Sequence, residues 1–166
     1  MWTGTIESIH IASAAKAATQ SVDQARAIPG VGLEGDRYAK RQGTFFKPLP
    51  DFELTLIEAE AVEALKRDYG VDITAGEARR NLVTRGVPLN HLVGHEFQIG
   101  EVRIRGIRLC EPCDHLQRLT GRAVLKGLHH RGGLRAQILT PGVIHVGDVI
   151  SAVDLAFQSK IVNRKS

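Results

Sequence analysis

Cys110 and Cys113 are the only cysteines in the chain. They stand at the C-x-x-C spacing within Arg108-Leu109-Cys110-Glu111-Pro112-Cys113-Asp114-His115-Leu116-Gln117-Arg118-Leu119. A strand-like run at 102–109 precedes them, and Leu116 and Leu119 suit a short helical turn after them. Pro112 has no N–H to lose at a helix start. Cys113 is therefore expected among the free N–H groups of that first turn, where the helix dipole favours an anion. A thiol held there ionises more easily, and the thiolate is the species that attacks, carries sulfur or binds metal. Several chemistries fit the pair. A zinc site would use Cys110, Cys113 and His115, completed by His129 or His130, although closed zinc sites normally show two clear ligand pairs and one is evident here. A dithiol redox pair would open a long helix after a βαβ-type strand. A single working thiol, Cys113, uses the helix start, the preceding strand irregularity and the nearby basic residues. Two buried cysteines acting as small apolar side chains also satisfy the pattern.

Other segments could assist such a thiol. Gly30-Val31-Gly32-Leu33-Glu34-Gly35-Asp36-Arg37-Tyr38 has three glycines in six residues, which lets backbone approach a ligand or simply shapes a tight loop. Its spacing is not that of a P-loop. Arg79 and Arg80 are adjacent, an arrangement that usually marks a solvated face. No Ser-His-Asp order or carboxylate pair stands out, and nothing marks Asp36 as a base. His10, His91 and His145 read as surface or satisfied core residues.

These residues must be positioned by short elements. Residues 2–12 form a strand whose alternation slips near Ser8, as at a bulge. Residues 21–28 read as a second strand with Val22 and Ile28 as buried ends, stopped by Pro29-Gly30. Residues 39–51 form a loop. A strand at 54–57 runs into a helix at 58–69 with a stripe of Ala61, Leu65 and Tyr69, a Glu63–Arg67 pair and Gly70 as its stop. Thr74 and Glu77 have capping-box spacing. Residues 95–99 and 101–109 form a hairpin whose second strand slips at Gly106. A helical piece follows Gly121 with Val124, Leu125 and Leu128 on one side, and Gly132-Gly133 breaks it. Strands at 134–139, 143–146 and 149–153 follow, and 158–166 read as a frayed tail. Many short strands with glycine turns and a few short helices indicate an α+β, mostly β domain of β-barrel type, a single domain over 1–166.

Composition narrows the function. Apolar residues at 43% and charged residues at 24% are those of a globular protein. The net charge of +4 permits an anionic ligand. Aromatics at 5% leave few stacking platforms, so nucleic acid is not expected as a partner. No apolar run approaches the roughly 20 residues of a membrane helix. No basic–apolar–small export pattern is present, so a reducing cytoplasm is the expected location.

With these residues in hand the chain resembles the MOSC domain, the C-terminal module of molybdenum-cofactor sulfurases, from about Val22 to Val153. The resemblance rests on Gly32-Leu33-Glu34-Gly35-Asp36-Arg37, on Gly76-Glu77 with Arg80-Asn81-Leu82, on Cys113, and on Gly132-Gly133 followed by Gly142-Val143-Ile144-His145-Val146-Gly147-Asp148. It implies a strongly curved barrel, related to the pyruvate-kinase barrel, with peripheral helices. It also implies either a sulfur carrier to metal–sulfur sites or a molybdenum-cofactor (molybdopterin) protein, some relatives being reductases of N-hydroxylated compounds. The essential cysteine falls on Cys113, as a persulfide carrier or a molybdenum ligand. Gly35, Asp36, Arg37, Arg80, Asn81 and Arg131 become candidates for holding the cofactor, chiefly its pterin phosphate. Sulfur donor or acceptor proteins are the implied partners. The departures are informative. The pyridoxal-phosphate desulfurase domain is not in the sequence, which reads as a stand-alone module. Asp114 to Leu119 replaces the Thr-Thr-x-Asp-Pro sequence of the reductases. Cys110 is additional, either resolving a persulfide on Cys113 or packing.

Overall fold

Apolar residues at every second position decide which face of each strand turns inward, because side chains alternate across the pleat. The computed structural model describes residues 2–112, 114–120 and 124–153. Among them are eleven strands and two α-helices: β1 (Thr3–Ile11), β2 (Gln20–Val22), β3 (Gln24–Ile28), β4 (Gly32–Leu33), β5 (Leu54–Glu58), α1 (Ala59–Tyr69), β6 (Leu82–Arg85), β7 (Glu96–Ile99), β8 (Val102–Leu109), α2 (Asp114–Thr120), β9 (Leu134–Ile138), β10 (Gly142–His145) and β11 (Val149–Ala152). The strand order is β11-β7-β8-β9-β5-β6-β1, and β1 pairs back onto β11, so seven described strands close a barrel with β2 added along β1. Closure leaves no long unpaired edge in the ring. β10, β3 and β4 form a separate three-stranded sheet.

The barrel interior is filled by residues such as Ile6, Ile9, Phe97, Ile99 and Ile104, and Ala25, Ala27 and Ile144 of the small sheet join the same core. A second apolar cluster, with Ile57, Leu65, Val83, Leu116 and Leu128, lies outside the barrel wall under the two helices. β5 and β6 separate the clusters. Leu56 and Leu82 face one and Ile57 and Val83 the other, which is why both strands read as continuous apolar runs. Register shifts fall between Ile6 and Ser8 in β1 and between Gly106 and Arg108 in β8, at the two slips in the apolar alternation. At Gly106 an added Cβ would strike the Leu92 carbonyl.

Several expectations need correction. Residues 21–28 are two strands in different sheets, and the buried positions are Ala25 and Ala27 while Val22 and Ile28 are half-buried. The described part of the piece after Gly121 is a series of turns, with Leu128 N–H bonded to Val124 O and Arg131 N–H to Leu128 O. Tyr69 is exposed. Glu63 pairs with Arg85 of the adjacent strand β6, and Arg67 with Asp68. The capping box is present, Thr74 N–H donating to Glu77 Oε1 (2.9 Å) and Glu77 N–H to Thr74 Oγ1 (3.2 Å), but it opens a single 3-10 turn. No described helix is long and apolar enough to cross a membrane. The expected frayed tail and Cys113 lie outside the described residues.

Candidate functional site

At one rim of the barrel β8 ends, β9 begins and β6 starts. Leu109 pairs with Leu134 and Arg108 with Arg135 across the β8–β9 ladder, which Cys110 extends by donating its N–H to Gly133 O (2.7 Å). Here Arg37, Arg79, Arg80 and Arg135 converge with Cys110, Glu111 and Leu116 around a narrow cleft of about 60 Å³. It continues past Thr44, Phe45, Glu111 and Arg135 into an outer part of about 520 Å³ that adds Lys47 and Arg108. The 39–51 segment forms one wall. A further cavity of about 290 Å³ lies where that segment meets Gly30 and Glu53, and Cys110 does not line it.

The cations differ in how far they are neutralised. Arg37 Nη1 donates to Asp36 Oδ1 (3.1 Å), and Arg108 Nε donates to Asp51 Oδ2 (2.6 Å). Arg79, Arg80 and Arg135 have no carboxylate within ion-pairing distance among the described residues. Arg79 takes a left-handed backbone (φ 60°), rare for a residue with a side chain, and donates from Nη1 to Ala17 O (2.6 Å). Burial, and then the neighbouring Arg37, hold its pKa below the ordinary arginine value. Arg135 stacks on Phe52 (4.8 Å from Cζ to ring centroid), while its Nη1 is buried without a hydrogen-bond partner. A buried N–H left unpaired is costly, and an anion that accepts from it removes that cost.

Other polar residues hold the rim in shape. Arg80, 8% exposed, donates from Nε to Gly132 O (2.8 Å), from Nη2 to Cys110 O (3.1 Å) and from Nη1 to Ala78 O (3.4 Å). It therefore fastens the cysteine segment to the segment before β9. Gly132 allows the close approach, since a Cβ there would strike Cys110 O and crowd Pro112. Asn81 accepts from Thr55 N–H (3.1 Å) and Thr55 Oγ1 (3.2 Å) and donates to His10 O (3.2 Å), tying β1 and β5 together. Asp36, 1% exposed, accepts from Ala12 N–H (3.0 Å) and Tyr38 N–H (3.3 Å) as well as from Arg37.

Of the residues expected to hold a ligand, Arg37 and Arg80 line the cleft, and Arg80 has three donor groups on backbone carbonyls. Gly35, Asp36 and Asn81 do not line it. Gly35 turns the chain (φ 89°) beside Ile11, and the other two side chains face inward to backbone groups. Arg131 is exposed and acts electrostatically on Glu58 and Asp68, near α1. Cys110 is a free, buried thiol in the cleft wall. Cys113 follows Pro112 in sequence and precedes α2, and its own position lies outside the described residues. Arg79 and Arg135 are additions. Arg79 was legible only as one of a pair, and Arg135 as an ordinary strand position. Of the residues weighed for zinc, His129 and His130 gather with Glu111 rather than with Cys110. His10 is a satisfied core histidine, its Nε2 lying 2.8 Å from Ser8 Oγ.

Comparison with known proteins agrees with this architecture. No curated protein matches the sequence. Among solved structures, the YuaD protein from Bacillus subtilis superimposes with a TM-score of 0.73 at 20% identity, covering 90% of this chain and 97% of that one. YiiM from Geobacillus stearothermophilus gives 0.71 at 17% identity, covering 91% and 75%, and YiiM from Escherichia coli 0.65 at 18%, covering 90% and 70%. At these identities the likeness is one of fold. The family model described as the MOSC domain matches residues 38–151, a stretch that holds every arginine of the cleft except Arg37, and the chain therefore belongs to the MOSC domain family.

Proposed function

We propose that this chain binds the molybdenum cofactor, or carries sulfur to it, in the arginine cleft, with Cys113 as the working thiol. The observation that carries the reading is the buried, unpartnered Nη1 of Arg135, set beside Arg79 and Arg80, neither of which has a carboxylate partner among the described residues. Guanidinium groups in this state favour an anion with several acceptor oxygens, and a pterin phosphate is one. Arg79 and Arg135 would hold the phosphate. Arg37, Arg80, Asn81 and Asp36 would position them by fixing the rim. When bound, the cofactor supplies a redox-active metal for which a thiolate is a suitable soft ligand. In the carrier role Cys113 would hold the sulfur as a persulfide. A thiolate of an acceptor protein attacks the outer sulfur, and the S–S bond breaks with its electron pair leaving on Cys113 as the thiolate. The sulfur passes on at the sulfane level with no net redox change. Cys110, walled in beside Arg80, packs rather than reacts. A sulfur donor or acceptor protein would have to reach the open, outer part of the cleft.

The test is the molybdenum and phosphopterin content of protein purified from a host that makes the cofactor, together with mass spectrometry of Cys113. Near-stoichiometric cofactor, or a persulfide on Cys113, is expected in the natural chain. Cofactor should be lost in Arg135→Leu and Cys113→Ser and retained in Cys110→Ser. Natural protein with neither cofactor nor persulfide overturns the reading, and loss in Cys110→Ser but not Cys113→Ser reverses the roles of the two thiols.

A further inference from the structure

Neighbouring residues on a turn or helix normally send their side chains in different directions. His129 and His130 do not. His130 takes a left-handed backbone (φ 60°), and the two imidazole rings lie 3.8 Å apart, centroid to centroid. The conformation is held from two sides: His130 N–H donates to Glu111 Oε1 (2.9 Å), and Asn90 Nδ2 donates to His130 O (2.7 Å). The other oxygen of the same carboxylate, Glu111 Oε2, lies 3.0 Å from His130 Nδ1 and 3.6 Å from His129 Nδ1. One carboxylate oxygen is thus fixed by backbone while its twin faces two ring nitrogens, and one donor atom from each of the three residues falls within 4.8 Å of the others.

From this we propose that Glu111, His129 and His130 form a site for a divalent transition-metal ion of the zinc class at the edge of the arginine cleft. Donors about 2.0–2.1 Å from a tetrahedral ion stand roughly 3.4 Å apart, and the two measured separations, 3.0 and 3.6 Å, lie on either side of that value. Two imidazolium rings this close would repel each other, whereas one dication satisfies both neutral rings and the carboxylate. The donor set of two imidazoles and one carboxylate leaves a coordination position for water or an anion. Glu111 also lines the cleft, and it follows Cys110, whose carbonyl and N–H are fixed by Arg80 and Gly133. The ion would therefore add positive charge at the cleft edge. The proposed ligands are Glu111, His129 and His130 alone, Cys110 is not among the gathered donors, and the proposal does not depend on which anion the cleft takes.

The experiment is calorimetric titration of tag-free, chelator-stripped protein with Zn²⁺, paired with the visible spectrum of the Co²⁺-loaded protein. One ion per chain is expected, with affinity at least tenfold weaker in each of Glu111→Gln, His129→Ala and His130→Ala and unchanged in Cys110→Ser and Cys113→Ser. The cobalt spectrum should show tetrahedral bands without thiolate-to-cobalt charge transfer, a readout on the natural chain that needs no variant to fold. Absence of saturable binding, a charge-transfer band from thiolate, or binding that survives His129→Ala/His130→Ala but fails in Cys113→Ser would overturn the proposal.

Discussion

Two arginines that look alike in sequence do opposite work at the cleft. Arg80 donates to the carbonyls of Cys110, Gly132 and Ala78, so Arg80→Ala would strand buried acceptors. It should cost about 2–4 kcal/mol in urea unfolding. Arg135 has a buried guanidinium nitrogen with no partner, so Arg135→Leu should change stability by less than about 1 kcal/mol while weakening phosphate binding at least tenfold. If Arg135→Leu is the more destabilising of the two, the division between positioning and binding arginines is wrong. A third residue makes the fold sensitive to acid. Burial holds the pKa of His10 below its ordinary value of roughly 6.5, so the unfolded chain takes up this proton before the folded one does. That contribution to stability is complete above about pH 6.5 and is lost as pH falls towards the depressed folded value. Urea midpoints measured down this range should fall more steeply for the natural chain than for His10→Gln, and parallel curves would rule the contribution out.

At the scale of elements, the cysteine segment is placed by strand ends and by glycine. Gly133 has φ 111° and no room for a Cβ against the Leu56 carbonyl, while Gly132 lets Cys110 and Pro112 lie against it. Gly133→Ala should cost upwards of about 2 kcal/mol. Gly132→Ala should displace the cysteine segment and change the alkylation rate of Cys113; an unchanged rate would separate this glycine from the site. The slip at Gly106 could be read in the sequence because apolar alternation changes phase there, and the Thr74–Glu77 box because its spacing is local. The cleft could not be read in the same way. Arg79 and Arg135 are far apart in sequence and meet only because β9 runs antiparallel to β5 while β6 runs parallel to it. The alternation of β9 marks Arg135 as an ordinary half-buried strand residue. The turn at 32–37 was legible as special, but not that its Asp36 faces inward to Ala12 and Tyr38. Long-range pairing decides that direction.

For the whole molecule, the barrel core and the outer cluster under the helices carry different responsibilities. Phe97 is fully buried inside the barrel, and Phe97→Ala should lower global stability by about 3–5 kcal/mol. Leu116 belongs to the outer cluster and also lines the cleft. Leu116→Ala should raise amide exchange across 110–120 while the barrel strands stay protected; uniform loss of protection would mean that the two clusters unfold as one unit. This division lets the rim carry a strained Arg79 and unneutralised guanidinium groups while the closed barrel beneath it supplies the stability. The most direct measurement is the rate of Cys113 alkylation, followed by mass spectrometry, with and without a phosphate-bearing pterin. Ligand should slow modification of Cys113 in the natural chain and have no effect in Arg135→Leu. Equal rates with and without ligand in the natural chain would contradict an anion held by these arginines in front of that sulfur.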